Sequence, residues 1–138
     1  MSAVLNLDLT ASSRLELVDG LCERVSHFLS KLGFAEGDVY AFDLSTREAV
    51  VNAMKHGNRL DPGLTVSVDV AISDDICTIR VGDSGTDPTA TPKDREDLLA
   101  PNGRGVMIMR SLMDSVEFVR SRHRFEVVLS KRLSPLLL

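Results

Sequence analysis

The order of hydrophobic periods along the chain predicts an α+β protein built as a two-layer sandwich, a mixed and mainly antiparallel sheet with helices on one face. Three observations carry this expectation. Period-two alternation runs through Val4–Leu9, Leu64–Ile72 and Ile76–Val81 and returns near the C-terminus. Two longer stretches, behind Ser13 and behind Asp38, repeat instead at three and four residues. The resulting order, β-α-α-β-β-loop-α-β-β, gives the helices one sheet face to cover.

Each element has its own signal. Val4-Leu5-Asn6-Leu7-Asp8-Leu9 alternates as a strand does. Ser13-Arg14-Leu15-Glu16 has the spacing of a capping box. Behind it Leu15, Val18, Leu21, Cys22, Val25, Phe28, Leu29 and Leu32 form one helical stripe, with Gly33 as the C-terminal cap. A second helix is expected from about Asp38 to His56, ended by Gly57-Asn58. Asp74-Asp75 can turn between the next two strands to make a hairpin. Residues 86–102 hold three prolines and little apolar period, which reads as a long loop; loops of that length in compact domains are usually functional or mobile. Gly103 to Leu112 reads as a short helix, and Ser115–Val119 and Arg124–Ser130 as two closing strands.

Composition bounds the function classes. The 138 residues are 43% hydrophobic and 26% charged, as in a soluble globular domain, and one domain over 1–138 is expected. The net charge of −4 lacks the basic surplus of a nucleic-acid binder, and no apolar run is long enough for a membrane span. Cys22 and Cys77 form no CxxC and fall on predicted core faces, so they read as buried thiols in a reducing cytoplasm. Charge is uneven. Residues 61–102 carry nine acidic and three basic side chains, and residues 103–138 three acidic and seven basic, so a basic C-terminal surface is expected. Arg120, Arg122 and Arg124, two apart, would share one strand face, either solvated or docking an acidic partner.

Three polar segments are hard to explain as packing. Glu48, Asn52 and His56 stand four apart on one helix flank, where a carboxylate and a carboxamide could orient a nucleophile and ligate a hard cation such as Mg²⁺. Val81-Gly82-Asp83-Ser84-Gly85 ends a strand, where an Asp between glycines can accept from an amino group while a flat ring approaches. Gly-Asp-Ser-Gly also occurs in chymotrypsin-like proteases, but the chain is too short for their two barrels and Ser84 is no nucleophile. Asn102-Gly103-Arg104-Gly105 opens a helix, and backbone N–H groups there can bind an anion. Neither a Walker loop nor a GxGxxG is present. Met107, Met109 and Met113 read as packing behind this turn, and His123 as exposed.

In this order the three segments resemble the N-box, G1-box and G2-box of the GHKL (Bergerat-fold) ATP-binding superfamily, from about Leu15 to Lys131. The stretches Glu48–Gly57 and Gly103–Asp114 are most similar to small anti-sigma-factor serine/threonine kinases. The resemblance implies ATP and Mg²⁺ as ligands. It casts Glu48 as general base, Asn52 as the Mg²⁺ ligand, Asp83 as acceptor for the adenine amine and Gly85 as room for the ring. Gly103 and Gly105 would turn N–H groups to the phosphates, with Arg104 beside them. Lys55 and His56 would flank the nucleotide, Met109 could line the adenine pocket, and residues 86–102 would form the ATP lid. One departure stands out: Pro101 occupies the place where several such kinases carry an arginine on the γ-phosphate, leaving Arg104 or Lys93 as lid cations for that role.

The implied function is a cytoplasmic kinase that sequesters a sigma factor or similar target and phosphorylates a serine on a STAS-type anti-anti-sigma antagonist. A homodimer would be usual, with Leu136-Leu137-Leu138 as an apolar contact or a frayed end. A non-catalytic, nucleotide-gated binding module is the alternative. A histidine-kinase catalytic domain fits less well, because His27 lacks the His-Glu opening of an H-box.

Overall fold

The computed structural model describes residues 4–87, 89–99, 104–121 and 124–134, without the side chains of Leu98 and Leu99. Pro101, Gly103, Arg122, His123 and Leu136–Leu138 therefore lie outside the described residues.

Strand β1 (Leu5–Ser12) leads through a 3₁₀ turn at Leu15–Leu17 into α1 (Val18–Lys31), followed by α2 (Glu36–Asn52) and a π turn at Ala53–Gly57. The hairpin β2 (Thr65–Ser73) and β3 (Ile76–Asp83) precedes α3 (Pro92–Leu99) and α4 (Arg104–Leu112), and β4 (Ser115–Ser121) and β5 (Arg124–Arg132) close the fold. The sheet order is β1-β2-β3-β5-β4. Every described pairing in it is antiparallel, so the sheet expected as mixed is antiparallel throughout these residues. Register follows the hydrophobic alternation, with Leu9 opposite Val68, Val68 opposite Val81 and Val81 opposite Val127.

That row and its neighbours Val66, Val70, Ile72, Cys77, Ile79 and Leu129 point to the helices and are buried. From the other layer Leu21, Cys22, Val25 and Leu29 of α1 and Phe42, Ala49 and Val50 of α2 meet them in one cluster. Burial pushes both thiols up to about 12, which keeps them protonated, in line with their reading as core residues. Helix α2 touches α1 and α4, and carries buried positions all round, including Asp38, Ser45, Thr46 and Asn52.

The hairpin turn uses two residues at positive φ, Asp74 (52°) and Asp75 (66°), as a primed turn requires. Gly33 ends α1 at φ 83°, as its position suggests. The capping box at Ser13 does not form: Arg14 and Leu17, which precede the 3₁₀ turn and α1, make no side-chain cap. Ser13 is drawn elsewhere, its buried hydroxyl accepting from Asn58 Nδ2 at 2.7 Å. The long loop also differs from expectation. Thr91 and Asp94 form a reciprocal capping box, Asp94 N donating to Thr91 Oγ1 (3.1 Å) and Thr91 N to Asp94 Oδ2 (2.8 Å), which starts α3 with Pro92 in its first turn.

The arginine stripe is overturned by the register. Arg120 lies on β4 opposite Phe125 and faces the helices, whereas Arg124 opposes Ser121 and faces away. Its guanidinium lies 3.9 Å from Asp69 and covers Gly82, where a Cβ would sit 2.1 Å from Nη2. Met107 is 69% exposed and so does not pack, although Met109 and Met113 do.

Asp38 ties the start of α2 to the end of β5. It accepts from Lys131 Nζ (2.8 Å) and from Ser134 N (2.6 Å). Burial alone would push its carboxyl up, but those two donors hold it below the usual carboxylate range. Asp38→Asn is expected to cost about 1–2 kcal/mol at pH 7 in urea denaturation. A lowered folded pKa stabilises fully above the unfolded value of about 3.9, and the effect is lost as pH falls through the folded value. The two proteins should therefore converge in acid, and a constant gap from pH 7 to pH 2 would contradict the assignment.

Candidate functional site

Glu48 and Asn52 lie one turn apart on α2, Glu48 half-buried and Asn52 only 1% exposed. Neither Oδ1 nor Nδ2 of Asn52 has a hydrogen-bond partner among the described residues. A buried amide left so costs about 1–3 kcal/mol, so such groups need a reason. Directly after Asn52 the helix loosens into the π turn, closed by Asn58 N donating to Ala53 O at 2.9 Å. The extra residue changes the phase of the helix, so Lys55 and His56 leave the Glu48–Asn52 flank for a separate pocket.

Asn58 fixes the far side of this turn. Its buried carboxamide donates to Ser13 Oγ and to Thr65 O (3.0 Å), and accepts from Ser84 N (2.9 Å). Ser84 begins the segment that follows β3, so the end of that strand is held against the π turn. Thr86 is held too, its N–H and hydroxyl both donating to Gly57 O at 3.2 and 2.8 Å. Gly57 must be glycine for this approach: a Cβ would lie 2.1 Å from Cγ of Asp83. Gly85, at φ 56°, turns the chain away and donates its N–H to Asp83 Oδ1 at 2.7 Å.

Asp83 is buried at the end of β3 and is bound by an arginine that sequence reasoning passed over. Arg95 of α3 donates from Nη2 to Oδ2 (2.6 Å) and from Nη1 to Oδ1 (3.3 Å), with side-chain exposures of only 3% and 1% for the pair. Its guanidinium carbon lies 4.2 Å from the centroid of the Phe125 ring. Among the described residues no other lysine or arginine is buried. Lys93, on the same helix, is exposed and pairs with Asp97 at 3.6 Å. The Thr91-Pro92-Lys93-Asp94 cap signals that a helix starts here, though not which of its side chains turns inward.

Beside this pair opens a pocket of about 240 Å³, lined by Lys55, His56, Arg59, Gly85, Arg95 and Arg120 together with Thr86, Asp87 and Ala90. Arg120, expected as a strand-face charge, also donates to Ala90 O at 3.1 Å and so ties β4 to the segment before α3. So many cations suit an anionic ligand. Burial first, then Arg95 and Lys55, hold the His56 imidazole below its usual range, leaving it neutral near pH 7. Of the remaining expected site residues, Gly105 is buried in α4, Arg104 is exposed at its start, and Met109 lies in the main core. Arg110 of α4 pairs with Glu96 of α3, linking the two helices. No group of three or more metal-ligating His, Cys, Asp or Glu occurs among the described residues.

The family model described as "Histidine kinase-like ATPase domain" matches residues 11–131, nearly the whole described chain. The chain belongs to this family. Its similarity to curated members is modest but extended. An anti-sigma F factor of Clostridium perfringens is 27% identical over 114 residues, 78% of this chain and 81% of the relative. A serine-protein kinase RsbW of Bacillus licheniformis is 26% identical over 120 residues, 80% of this chain and 75% of the relative. An anti-sigma F factor of Geobacillus stearothermophilus reaches 31% over 98 residues, 67% of each chain. A crystal structure of RsbU and RsbW domains from Mycobacterium tuberculosis has the same fold, with TM-score 0.73 and 18% identity over 96% of this chain, which spans a third of that longer one. The two-layer α+β architecture is thus that of histidine kinase-like ATPase domains.

The contact with this carboxylate makes Gly57 a stringent position. Gly57→Ala should cost about 1–3 kcal/mol, because the new methyl must displace a buried carboxylate already bonded to Arg95 and Gly85. Chemical denaturation reads this, and an unchanged midpoint would show that the π turn and Asp83 are not in contact.

Proposed function

We propose that this chain is an ATP-dependent protein serine kinase of the anti-sigma type. The observation that carries the reading is the buried, unpartnered carboxamide of Asn52 one turn after Glu48. A hydrophobic residue of similar size would serve packing better there, so the amide answers to a ligand. Its oxygen suits Mg²⁺, which takes few protein ligands and brings phosphate oxygens as the rest. The metal, when bound, neutralises charge on the phosphates.

The chain's own groups then divide the work. Asp83 accepts from the amino group of the base, with Gly85 leaving room for the ring. Lys55 and His56, with Arg104 and the N–H groups at Gly103 and Gly105, hold the phosphate side, and Met109 supports the base from the core. Glu48 takes the proton from a serine hydroxyl as its oxygen attacks the γ-phosphorus and ADP leaves. Phosphoryl transfer needs this alignment more than covalent help from protein. The relatives' names support a sigma factor as the held target and a protein serine as the phosphoacceptor, and the resemblance of the three boxes adds a STAS-type antagonist as the bearer of that serine. Phosphoserine adds about −1.5 to −2 charge, enough to break a close contact and switch partners. One domain over 1–138, with its lid at about 86–102, working as a homodimer in the cytoplasm, fits this reading. No helix among the described residues is long and apolar enough to cross a membrane.

Pro101 favours a second reading, a nucleotide-gated module that holds its partner without phosphorylating it. Purified protein, antagonist and Mg²⁺·ATP decide between the two. Glu48→Gln should retain ATP binding and lose about 10²–10⁴-fold in transfer rate, the usual worth of a general base. Transfer at the wild-type rate would remove Glu48 from the role, and tight binding with no phosphoserine by mass spectrometry would select the second reading. Asn52→Leu should melt higher than wild type and lose ATP binding, because it trades an orphan amide for apolar contact. A lower melting temperature with ATP binding intact would show that the amide is structural.

A further inference from the structure

The lid helix α3 carries five charged residues in its eight, Pro-Lys-Asp-Arg-Glu-Asp-Leu-Leu, and its first six positions offer no apolar stripe of the kind that usually fastens a helix to its domain. Among its described side chains the buried one is Arg95, set into the body between a carboxylate and an aromatic face. Among the described side chains, the lid is therefore docked chiefly through a cation. Three weaker ties accompany it: Arg120 to Ala90 O, Thr86 to Gly57 O, and Glu96 to Arg110 of α4.

The place Arg95 occupies matters more than the tie itself. A guanidinium is a flat group that presents N–H donors from its edge and stacks its face on an aromatic ring. Those are the properties by which an aminopurine would meet Asp83. Both carboxylate oxygens already accept from Arg95, Oδ1 accepts from Gly85 N as well, and the Phe125 face is covered. A base and the guanidinium cannot share that carboxylate and that ring.

We propose that Arg95 is an intramolecular stand-in for the nucleotide base, a gate that must leave Asp83 before a nucleotide can bind. The inference rests on the reading of Asp83 as the base acceptor and adds a step to it. Base entry expels the guanidinium into solvent and frees α3 from the body. Glu96, the next residue, moves with it and loosens its pair with Arg110, so that occupancy of the base site is transmitted to α4. Arg95 thus acts before the phosphoryl step, on access and on the position of the lid.

A competing internal group lowers apparent affinity by the fraction of molecules in which it is out of the way. If about one molecule in ten is open, removing the gate tightens binding about tenfold. ADP titrations by calorimetry on wild type, Arg95→Ala and Arg95→Met are the direct test. Both variants are expected to bind ADP about tenfold more tightly than wild type. Wild type gives a second reading that needs no variant. The Nε–H resonance of Arg95, shifted by the Phe125 ring and slow to exchange, should be lost from its buried position when ADP saturates the protein. Variants that fold and bind ADP equally or more weakly overturn the gate, as does an Arg95 resonance unmoved at saturation. If the variants unfold, the wild-type resonance alone decides. The two failures are distinct: ADP binding to wild type with no gain in the variants sinks the gate alone, whereas no binding to any of the three proteins sinks the nucleotide reading and the gate with it.

Discussion

The buried carboxamide of Asn58 holds together segments that would otherwise have no reason to meet. Through one side chain the end of β1, the start of β2 and the residue after β3 are joined to the exit of the π turn. All of its hydrogen-bonding directions but one are used, in a site without water exposure. The candidate site grows from this junction. Because Ser84 is held, Asp83 ends β3 at a fixed height. Gly57 can then lie against the carboxylate, and Thr86 can close over the Gly57 carbonyl.

Two asparagines six residues apart show the difference between polar groups that build and polar groups that wait. Both are buried, on the same stretch of helix and turn. Asn58 is satisfied from three sides, and Asn52 from none among the described residues. A fold can keep an orphan amide only if other contacts offset its cost, and here the surrounding core of Val50, Ala53 and Met54 is fully closed. The pattern of satisfaction, more than the identity of the residue, separates scaffold from site.

Much of this was legible in sequence because it depends on local periods. The strands, both long helices, the hairpin turn and the buried cysteines follow from alternation and from residues that accept positive φ. Glu48, Asn52 and Asp83 were legible as polar positions that packing does not explain, and Gly85 as a turn beside them. What escaped was set by partners distant in sequence. Ser13 had the spacing of a cap, yet Asn58, forty-five residues on, claimed its hydroxyl. Thr91, set among prolines, has the same spacing and does cap. Arg120 and Arg124 have a strand's spacing, but a chain reversal between them sends one to the pocket and one to the open face. No local pattern could say that Arg95, rather than Lys93, turns inward to a carboxylate twelve residues earlier.

The π turn after Asn52 makes the geometry of the pocket a matter of chain length. Lys55 and His56 reach the pocket wall because five residues, Ala53 to Gly57, span what an α-helix would cover with a shorter repeat. The phase is stored in the backbone count as well as in the side chains: Ala53 and Met54 fill the core, Gly57 must stay small, and Lys55 and His56 supply the wall. Loss or gain of a single residue is another matter. It would leave the helix intact and the core filled while rotating the cationic wall away from Asp83. A single inserted or deleted residue here would thus disturb the site in a way that no one substitution on the wall itself would.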